Sequence, residues 1–391
     1  MVKKKIAILG STGSIGKTLI NIVKQDKKNF EIVLLSADGN YRELLKQAKF
    51  FKVKNLIITN EESYIKLKKN RYTKNIQVFS NFDNFKKIFK KKVDYTMSAI
   101  TGIEGLKPTI DIIKYSKKIA IANKESIICG WNLIEKKLKK HKTKFVPVDS
   151  EHFSIWYALR DVDKSLVDKI YITASGGPFL NTPINELKKA KINQATKHPN
   201  WKMGKKISID SSTLMNKALE IIEAKYLFEI DQKKIDAIIH PEGIVHSLVA
   251  LTDGTVLASM AKPDMKIPIL YGLGFPETMN NKTNRIDIQK LSKLTFEKIN
   301  KNKFPSIDYA YFAINHGQGM PIVLNAANEI AVQSFMDSEI LFEDIFKVIS
   351  KTINYAVKNN LKLKSVSLDS ILNFNHEIKE IASKNLYSFL K

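Results

Sequence analysis

The sequence predicts an α/β protein in which a parallel β-sheet comes first, an α+β region follows and helices complete the chain. Over residues 1–149, short apolar runs alternate with amphipathic stretches of helical period, which is the pattern of a parallel sheet with crossover helices. Between residues 150 and 275, glycine, proline, serine and threonine become frequent, which indicates an α+β domain. After Ser306 the apolar period is helical, which predicts a C-terminal helical domain.

Individual elements can be placed within these regions. The strands predicted for the first sheet are Lys5–Leu9, Ile32–Ser36, Leu56–Thr59, Ile76–Phe79, Tyr95–Ala99, Ile119–Ala122 and Phe145–Val148. The α+β region contains a predicted β-hairpin of Val245–Leu251 with Thr255–Met260 and a helix over Leu214–Phe228. Residues 276–305 are polar and rich in asparagine and lysine, so we predict a linker there. The C-terminal helices are expected near Ile307–Ile314, Ala326–Met336, Phe342–Lys358 and Ile371–Leu390.

Composition excludes several classes of protein. The chain has 391 residues, a formal net charge of +25 and one cysteine, Cys129, so no intrachain disulfide can form and a reducing, cytoplasmic setting is expected. No apolar run approaches the ~18 residues of a membrane-spanning helix. Only four of the 64 basic residues are arginine, and the lysines cluster where helix surfaces are expected. A solvated basic surface is therefore favoured over nucleic-acid binding.

The first predicted strand runs into a glycine-rich turn. Glycines at positions 10, 13 and 16 form Gly-x-x-Gly-x-x-Gly, a variant of the dinucleotide-binding fingerprint, between that strand and a helix beginning near Ser14. A Walker phosphate loop does not match, because Ser11 stands where its first glycine is needed. The turn predicts a Rossmann-type domain with a pyrophosphate at the helix N-terminus, and a plain tight turn is the alternative.

An acidic residue follows the second predicted strand. Asp38 begins the triplet Asp38-Gly39-Asn40, about 20 residues beyond the glycines, where a carboxylate usually bonds the adenosine ribose of NAD. A basic residue at this place favours NADP, and Arg42 is the only arginine nearby. Position alone therefore slightly favours NAD.

Two groups of polar residues follow further strands, at the sheet edge where ligands bind in α/β folds. They are Asn123, Lys124 and Glu125 after the strand ending at Ala122, and Asp149, Ser150, Glu151 and His152 after the strand ending at Val148. Asp149 and Glu151 alternate by two and offer the hard oxygen ligands that suit Mg²⁺ or Mn²⁺. A helix N-cap at Asp149 or Ser150 is the competing interpretation.

A third polar group lies on the predicted helix Leu214–Phe228. An amide and two carboxylates share one face at i, i+4 and i+7, a lysine lies beside them, and serines precede them where a helix N-terminus would hold an anion. These residues are Ser211, Ser212, Asn216, Lys217, Glu220 and Glu223. The pattern predicts phosphate binding next to metal binding; the alternative is an amphipathic helix with solvated charges.

Two loops complete the candidate site. The small-residue turn 174–178 follows a predicted strand and offers Ser175 as a second phosphate contact. The loop 198–204 carries Trp201 and Met203, which we expect to form an apolar lid over a substrate. A loop anchored by a buried tryptophan is the alternative.

Taken together, these motifs resemble the 1-deoxy-D-xylulose 5-phosphate reductoisomerases, over essentially the whole chain. The segments that carry the resemblance are 10–16, 123–126, 148–152, 175–179, 198–204, 210–220 and 324–332. The family's reaction rearranges 1-deoxy-D-xylulose 5-phosphate and reduces the product with NADPH to 2-C-methyl-D-erythritol 4-phosphate. This reaction is the committed step of the non-mevalonate isoprenoid route, and it uses Mg²⁺ or Mn²⁺.

The resemblance also implies a homodimer and a division of the chain by function. The divisions are an NADPH-binding Rossmann domain over 1–149, a catalytic and dimerisation α+β domain over 150–275 with a lid near 197–206, a linker over 276–305 and a C-terminal helical domain over 306–391.

Residue by residue, the resemblance implies roles for the polar groups described above. The implied metal ligands are Asp149, Glu151 and Glu220, and the implied catalytic residues are Lys124, Glu151 and His198. The implied substrate-binding residues are Lys124, Ser150, Glu151, Ser175, His198, Ser211, Asn216, Lys217 and Glu220. The implied cofactor-binding residues are Thr12, Gly13, Ser14, Ile15, Asp38, Gly39, Asn40, Asn123, Glu125 and Gly204.

Asp38 departs from the family pattern, in which a glycine precedes a basic or small residue and then asparagine. A carboxylate near a 2′-phosphate repels it, so we expect NADPH with a more modest preference over NADH than an Asp38→Gly variant would show, and we expect Arg42 to assist.

Two other classes of protein compete with this interpretation. A Rossmann-fold dehydrogenase of the semialdehyde type needs a nucleophile signature that Cys129 lacks, and a lysine-rich nucleic-acid-binding protein does not explain the placement of the acidic residues.

Overall fold

The computed structural model describes residues 2–201, 203–275, 277 and 285–390. Its strands are β1 (Lys4–Leu9), β2 (Phe30–Ala37), β3 (Asn55–Ile58), β4 (Gln77–Phe79), β5 (Tyr95–Ser98), β6 (Lys118–Ile121), β7 (Lys144–Pro147), β8 (Val167–Ala174), β9 (Ile235–Ile239), β10 (Val245–Leu251) and β11 (Val256–Met260). Its helices are α1 (Ser14–Gln25), α2 (Tyr41–Phe51), α3 (Glu61–Lys68), α4 (Phe85–Ile88), α5 (Leu106–Ile112), α6 (Lys124–His141), α7 (Ser150–Ala158), α8 (Ile192–Ala195), α9 (Lys205–Ser212), α10 (Met215–Phe228), α11 (Lys266–Gly274), α12 (Ser306–His316), α13 (Met320–Met336), α14 (Asp344–Lys358) and α15 (Leu368–Leu386).

The chain folds into two compact units. The first comprises Met1–Asp149 with Met265–Lys282, and the second comprises Ser150–Asp264 with Thr283–Lys391. Helix α11 lies in the first unit because Ile269 and Leu273 are buried in its hydrophobic core. The described part of 276–305 from residue 285 onward belongs to the second unit, where Glu297 pairs antiparallel with Ile239.

The first unit is built on a seven-stranded parallel sheet of order β4-β3-β2-β1-β5-β6-β7. Each predicted strand is present, with its ends within two residues of the prediction. The central strands are continuous apolar runs because helices cover both faces; Ile6, Ile8, Leu35 and Met97 are fully buried. The strand order reverses at β1, which places a ligand crevice at the carboxyl ends of β1 and β5. The predicted Rossmann-type sheet is confirmed.

The second unit contains a four-stranded mixed sheet of order β11-β10-β8-β9. Strands β8 and β9 are parallel, while β10 runs antiparallel to both β8 and β11. The hairpin of β10 and β11 closes through Gly254, whose φ of 90° favours glycine, and the Thr255 carbonyl accepts the Leu251 N–H at 2.8 Å. The predicted hairpin and the α+β character of this region are confirmed.

The polar segment before α10 differs from the prediction. Ser211 and Ser212 lie in the last turn of α9 rather than at the N-terminus of α10. The chain breaks between the two helices at Leu214, which has a φ of 56° and a buried side chain. Burial of this leucine offsets the cost of its left-handed backbone, a compensation that periodicity cannot reveal.

Helices α12 to α15 form the C-terminal part of the second unit, and the predicted helical character is confirmed. Helix α13 packs on both α14 and α15. It begins at Met320, earlier than predicted, because Pro321 lies in its first turn, where the missing N–H has no helical partner to lose. None of the described helices combines the length and apolarity needed to cross a lipid bilayer.

Candidate active site

The turn after β1 has the shape that a dinucleotide needs. A Cβ on Gly10 would lie 2.5 Å from the Ala99 carbonyl oxygen, and one on Gly16 would lie 2.3 Å from the Gly10 carbonyl oxygen, so only glycine fits at both positions. No described side chain caps the N-terminus of α1, which leaves its first N–H groups for an anion. The buried Ser11 hydroxyl also has no hydrogen-bond partner among the described residues. These features fit a pyrophosphate bound at this helix.

The residues after β2 are exposed at the same edge of the sheet. The Asp38 carboxylate accepts a hydrogen bond from the Thr59 hydroxyl at 2.8 Å, which ties it to the end of β3. The Asn40 side chain accepts the Glu43 N–H at 3.1 Å and caps α2. Asp38 therefore has a fixed carboxylate oxygen near the expected position of the adenosine ribose.

The side chain of Asn123 hydrogen-bonds to backbone groups of the protein. Its side-chain oxygen accepts the Ser126 N–H at 2.6 Å and caps α6, and its amide nitrogen donates to the carbonyls of Ile100 and Gly102. The side chain is buried. Its contacts join the loop after β5 to the start of α6, where Lys124 and Glu125 follow.

Lys124 and Asp149 form an ion pair inside the first unit. Lys124 begins α6 after β6, and Asp149 follows β7, the neighbouring strand. The carboxyl ends of parallel strands meet at one edge, which explains why residues 25 apart in sequence touch.

The second unit holds a buried ionic network. The Lys217 Nζ donates to Glu151 Oε1 at 2.7 Å and to Glu220 Oε2 at 2.6 Å. Ser150 Oγ donates to the other Glu151 oxygen, and Asn216 Nδ2 to the other Glu220 oxygen, each at 2.5 Å. Burial alone would lower the pKa of Lys217, but the two carboxylates raise it, so the ammonium stays charged. The alternative of solvated charges on this helix is wrong.

Three carboxylates converge beside this network. Asp149 is bonded to Ser150, so the chain itself holds it next to Glu151 at the start of α7. One carboxylate oxygen from each of Asp149, Glu151 and Glu220 lies within 4.8 Å of the others. The three carboxylates offer only oxygen donors, a set that fits Mg²⁺ or Mn²⁺.

His152 and Glu223 support this group, and the sequence did not indicate their function. The His152 Nε2 lies 2.9 Å from the Glu220 carbonyl oxygen, and its Nδ1 lies 3.7 Å from a Glu223 oxygen. Both side chains are almost wholly buried. Glu223 follows Glu220 by three residues, and that spacing is the only signal in the sequence that it faces the same way.

His198 is held in one tautomer by its own loop. Its Nδ1 accepts the N–H groups of Asn200 and Trp201 at 3.1 and 2.9 Å, so the proton resides on Nε2. That Nε2 lies 3.1 Å from Ser175 Oγ. The turn carrying Ser175 packs against Ser211, whose carbonyl oxygen would lie 2.8 Å from a Cβ on Gly177. The structure thus brings Ser175 and His198 into contact and places their neighbour Gly177 against the Ser211 backbone.

The chain matches known proteins along its length. Family models described as 1-deoxy-D-xylulose 5-phosphate reductoisomerase and as C-terminal domains of that enzyme match residues 6–130, 145–228 and 260–381. A protein of that name from Pelagibacter ubique (strain HTCC1062) is 47% identical over 375 residues, which is 95% of this chain and 97% of the relative. This chain belongs to the 1-deoxy-D-xylulose 5-phosphate reductoisomerase family.

Solved structures of reductoisomerases share the fold. The enzyme from Zymomonas mobilis in complex with NADPH is 34% identical, with a TM-score of 0.90 over 98% of this chain and 99% of that one. A reductoisomerase in complex with NADPH, fosmidomycin and magnesium gives the same identity and TM-score over 98% of both chains. The resemblance inferred from the motifs is confirmed, and the two competing classes are not favoured. Cys129 is buried within α6.

The loop 198–204, predicted to be a lid, is anchored at one end. Asn200 donates to the Pro241 carbonyl at 2.9 Å, and the Trp201 ring lies 6.2 Å from the His246 ring. A Cβ on Gly204, by contrast, would meet no atom within 4 Å, which leaves space beside the start of α9. Lys202 lies outside the described residues. Trp201 is half-buried, and the lid stays a prediction.

We expect the stability of the reductoisomerase to fall between pH 6.5 and 4 partly through His198. Burial, with help from the nearby Lys217 charge, lowers the pKa of His198 from 6.5 to about 4. Between these two pH values, His198 is protonated in the unfolded chain but stays neutral in the folded chain. Unfolding is therefore increasingly favoured as the pH falls. In urea titrations, His198→Gln should lose less stability across this window than the wild type. Lys189→Gln, an exposed control, should behave as the wild type, and parallel pH profiles for all three proteins would contradict the assignment.

Proposed function

We propose that this chain converts 1-deoxy-D-xylulose 5-phosphate to 2-C-methyl-D-erythritol 4-phosphate with NADPH and Mg²⁺ or Mn²⁺. Family membership supports the reaction. The observation that carries the site assignment is the convergence of Asp149, Glu151 and Glu220.

The three carboxylates are the proposed metal ligands. A divalent cation bound there supplies Lewis-acid stabilisation of negative charge on substrate oxygens. In this structure the Lys217 ammonium pairs with both Glu151 and Glu220. With those carboxylates bound to a cation, Lys217 is free to pair with an anionic group of the substrate.

The remaining polar side chains would bind and orient the substrate. We assign the phosphate to Ser175, Ser211, Asn216 and Lys217, because hydroxyl, amide and ammonium groups all donate to phosphate oxygens. The His198 Nε2–H is a fixed donor for a substrate oxygen. We assign the substrate hydroxyls to two further residues, Lys124 and Ser150. Anchoring the phosphate end orients the reacting carbons, and the loop with Trp201 and Met203 would exclude water.

The dinucleotide would bind along the turn after β1, where Thr12 to Ile15 present backbone N–H groups. NADPH bound there supplies the hydride. Gly39 and Asn40 would border the adenosine ribose, and Asn123, Glu125 and Gly204 would border the rest of the cofactor. Asn123 would shape the cofactor pocket without hydrogen-bonding to the cofactor, because its side-chain oxygen and nitrogen already bond to backbone groups.

We expect Asp38→Asn to raise the ratio of kcat/KM for NADPH over NADH. The amide can still accept the Thr59 hydroxyl hydrogen bond but no longer repels a 2′-phosphate. Because Asp38 is exposed, solvent screens the charge, so we expect a change of roughly two- to fivefold. Glu31→Gln, which changes another exposed acid of the same unit, is the control. An unchanged ratio in Asp38→Asn would show that the carboxylate lies away from the ribose.

Several finer features of the proposal rest on the family resemblance of the motifs. We propose a cytoplasmic homodimer that uses manganese as well as magnesium. We also propose a division into a cofactor domain over 1–149, a catalytic and dimerisation domain over 150–275, a linker over 276–305 and a helical domain over 306–391.

Product analysis tests the proposed reaction. Purified protein would be incubated with 1-deoxy-D-xylulose 5-phosphate, NADPH and Mg²⁺, and the products quantified by mass spectrometry. We expect one 2-C-methyl-D-erythritol 4-phosphate for each NADPH consumed. A reduced product with the unbranched carbon skeleton would contradict the proposal.

A further inference from the structure

A basic cavity lies at the end of the first unit's sheet where its parallel strands begin. The predicted cofactor turn lies at the other end, where β1 finishes. The cavity has a volume of about 590 Å³, and it is lined by six lysines together with aromatic and aliphatic side chains. The lysines are Lys4, Lys92, Lys117, Lys118, Lys142 and Lys144. Strands β1, β6 and β7 begin at three of these lysines, and β5 begins at Tyr95, which also lines the cavity. The cavity therefore belongs to the amino ends of four neighbouring strands.

Few of these positive charges are neutralised by the protein. Lys117 pairs with Asp94 at 2.8 Å and Lys4 with Glu277 at 3.0 Å. Among the described residues, the other four lysines have no carboxylate partner. Six lysines against two carboxylates leave a formal charge of +4 around the cavity.

Two of the lysines repel each other directly. Lys118 and Lys144 stand opposite one another in the register of β6 and β7, where like charges destabilise a sheet. Lys118 is 9% exposed, and its ammonium donates to the carbonyls of Phe275 at 2.6 Å and Leu273 at 3.3 Å. Burial, with the charges of Lys4 and Lys144, lowers the pKa of Lys118 to about 8. An anion in the cavity would relieve this repulsion.

Tyr95 adds a donor without a partner. Its side chain is 1% exposed, and its hydroxyl has no hydrogen-bond partner among the described residues. Burial raises the pKa of this hydroxyl, so it stays protonated and able to donate. A buried hydroxyl left unpaired costs free energy, and a cavity ligand whose oxygen reached it would recover that cost.

We propose that this cavity binds a small organic molecule carrying two or more phosphate charges. Several ammonium groups and one buried hydroxyl match the acceptor oxygens of a diphosphate. The ring of Tyr95 and the side chains of Leu273 and Phe275 offer an apolar wall for the organic part. The cavity is separate from the proposed cofactor and metal residues 12–15, 123–125 and 149–151, which follow the opposite, carboxyl ends of β1, β6 and β7.

Inorganic pyrophosphate is the probe, titrated calorimetrically into the full chain saturated with NADPH and free of divalent metal. We expect saturable binding of one equivalent. Replacing both Lys142 and Lys144 by glutamine should weaken binding roughly tenfold or more, because two charge-assisted contacts are lost. Lys86→Gln with Lys87→Gln, two exposed lysines of α4, changes the net charge equally and should leave the affinity within roughly twofold.

The Tyr95→Phe variant distinguishes specific binding in this cavity from non-specific attraction of an anion to a basic protein. It keeps the ring and the charge and removes only the hydroxyl, so we expect binding to weaken roughly three- to tenfold. Equal affinity in the Lys142/Lys144 and Lys86/Lys87 double variants would overturn the proposal, as would unchanged binding in Tyr95→Phe. Failure of pyrophosphate to bind would overturn it too, and would leave the proposed reductoisomerase activity unaffected.

Discussion

Glu220→Gln is expected to lower kcat/KM for 1-deoxy-D-xylulose 5-phosphate by roughly 10²–10³-fold, a loss of about 3–4 kcal/mol of transition-state stabilisation. Glu220 is 1% exposed and is one of the three carboxylates that converge. Glutamine keeps the shape and the contact with Asn216 but removes a negative charge from a site that must hold a divalent cation. Steady-state assays over a range of Mg²⁺ concentrations measure the effect.

The control for this variant is Glu229→Gln. Glu229 follows the same helix but is exposed and has no place in the proposed site. It should retain wild-type kinetics. If Glu220→Gln kept wild-type activity at low Mg²⁺, Glu220 would not be a metal ligand.

Lys217→Gln should have opposite effects on stability and on metal binding. The ammonium joins two buried carboxylates, so its loss leaves both without their cation and should cost about 3–5 kcal/mol of unfolding free energy in metal-free protein. For the same reason, Mn²⁺ should bind the variant more tightly than the wild type and restore much of the lost stability. The KM for the substrate should rise, because the phosphate loses a charged donor.

Denaturant titrations with and without Mn²⁺, together with calorimetric metal binding, measure these effects. Lys225→Gln, a less buried change on the same helix, serves as the control and should match the wild type in both experiments. Weaker Mn²⁺ binding by Lys217→Gln would indicate that the ammonium organises the carboxylates instead of competing for them.

Much of the first unit could be predicted because its strands and its glycine turn leave recognisable patterns within short stretches of sequence. The strands from Lys4 to Pro147 are buried on both faces, so they appear in the sequence as short apolar runs. The glycines at 10 and 16 are needed where backbone approaches backbone, which is why the turn has a recognisable spacing. The proximity of Asp149 and Lys124 could be predicted from the rule that ligands bind at the carboxyl ends of strands.

Contacts between distant segments were not predictable. Nothing in the sequence indicates that Lys217 pairs with Glu151, because 66 residues separate them. The break at Leu214 depends on burial of that side chain, which periodicity does not show. The basic cavity collects lysines from four separate segments, and along the chain they are indistinguishable from a solvated surface.

The most direct test of the central claim follows NADPH oxidation in chelator-treated protein mixed with 1-deoxy-D-xylulose 5-phosphate, before and after Mg²⁺ or Mn²⁺ is added. The assignment of Asp149, Glu151 and Glu220 predicts no oxidation without metal and rapid, saturable oxidation with it. It also predicts that Glu220→Gln needs far more metal. Oxidation at the same rate with and without divalent metal would contradict the claim that these carboxylates form a metal-dependent active site.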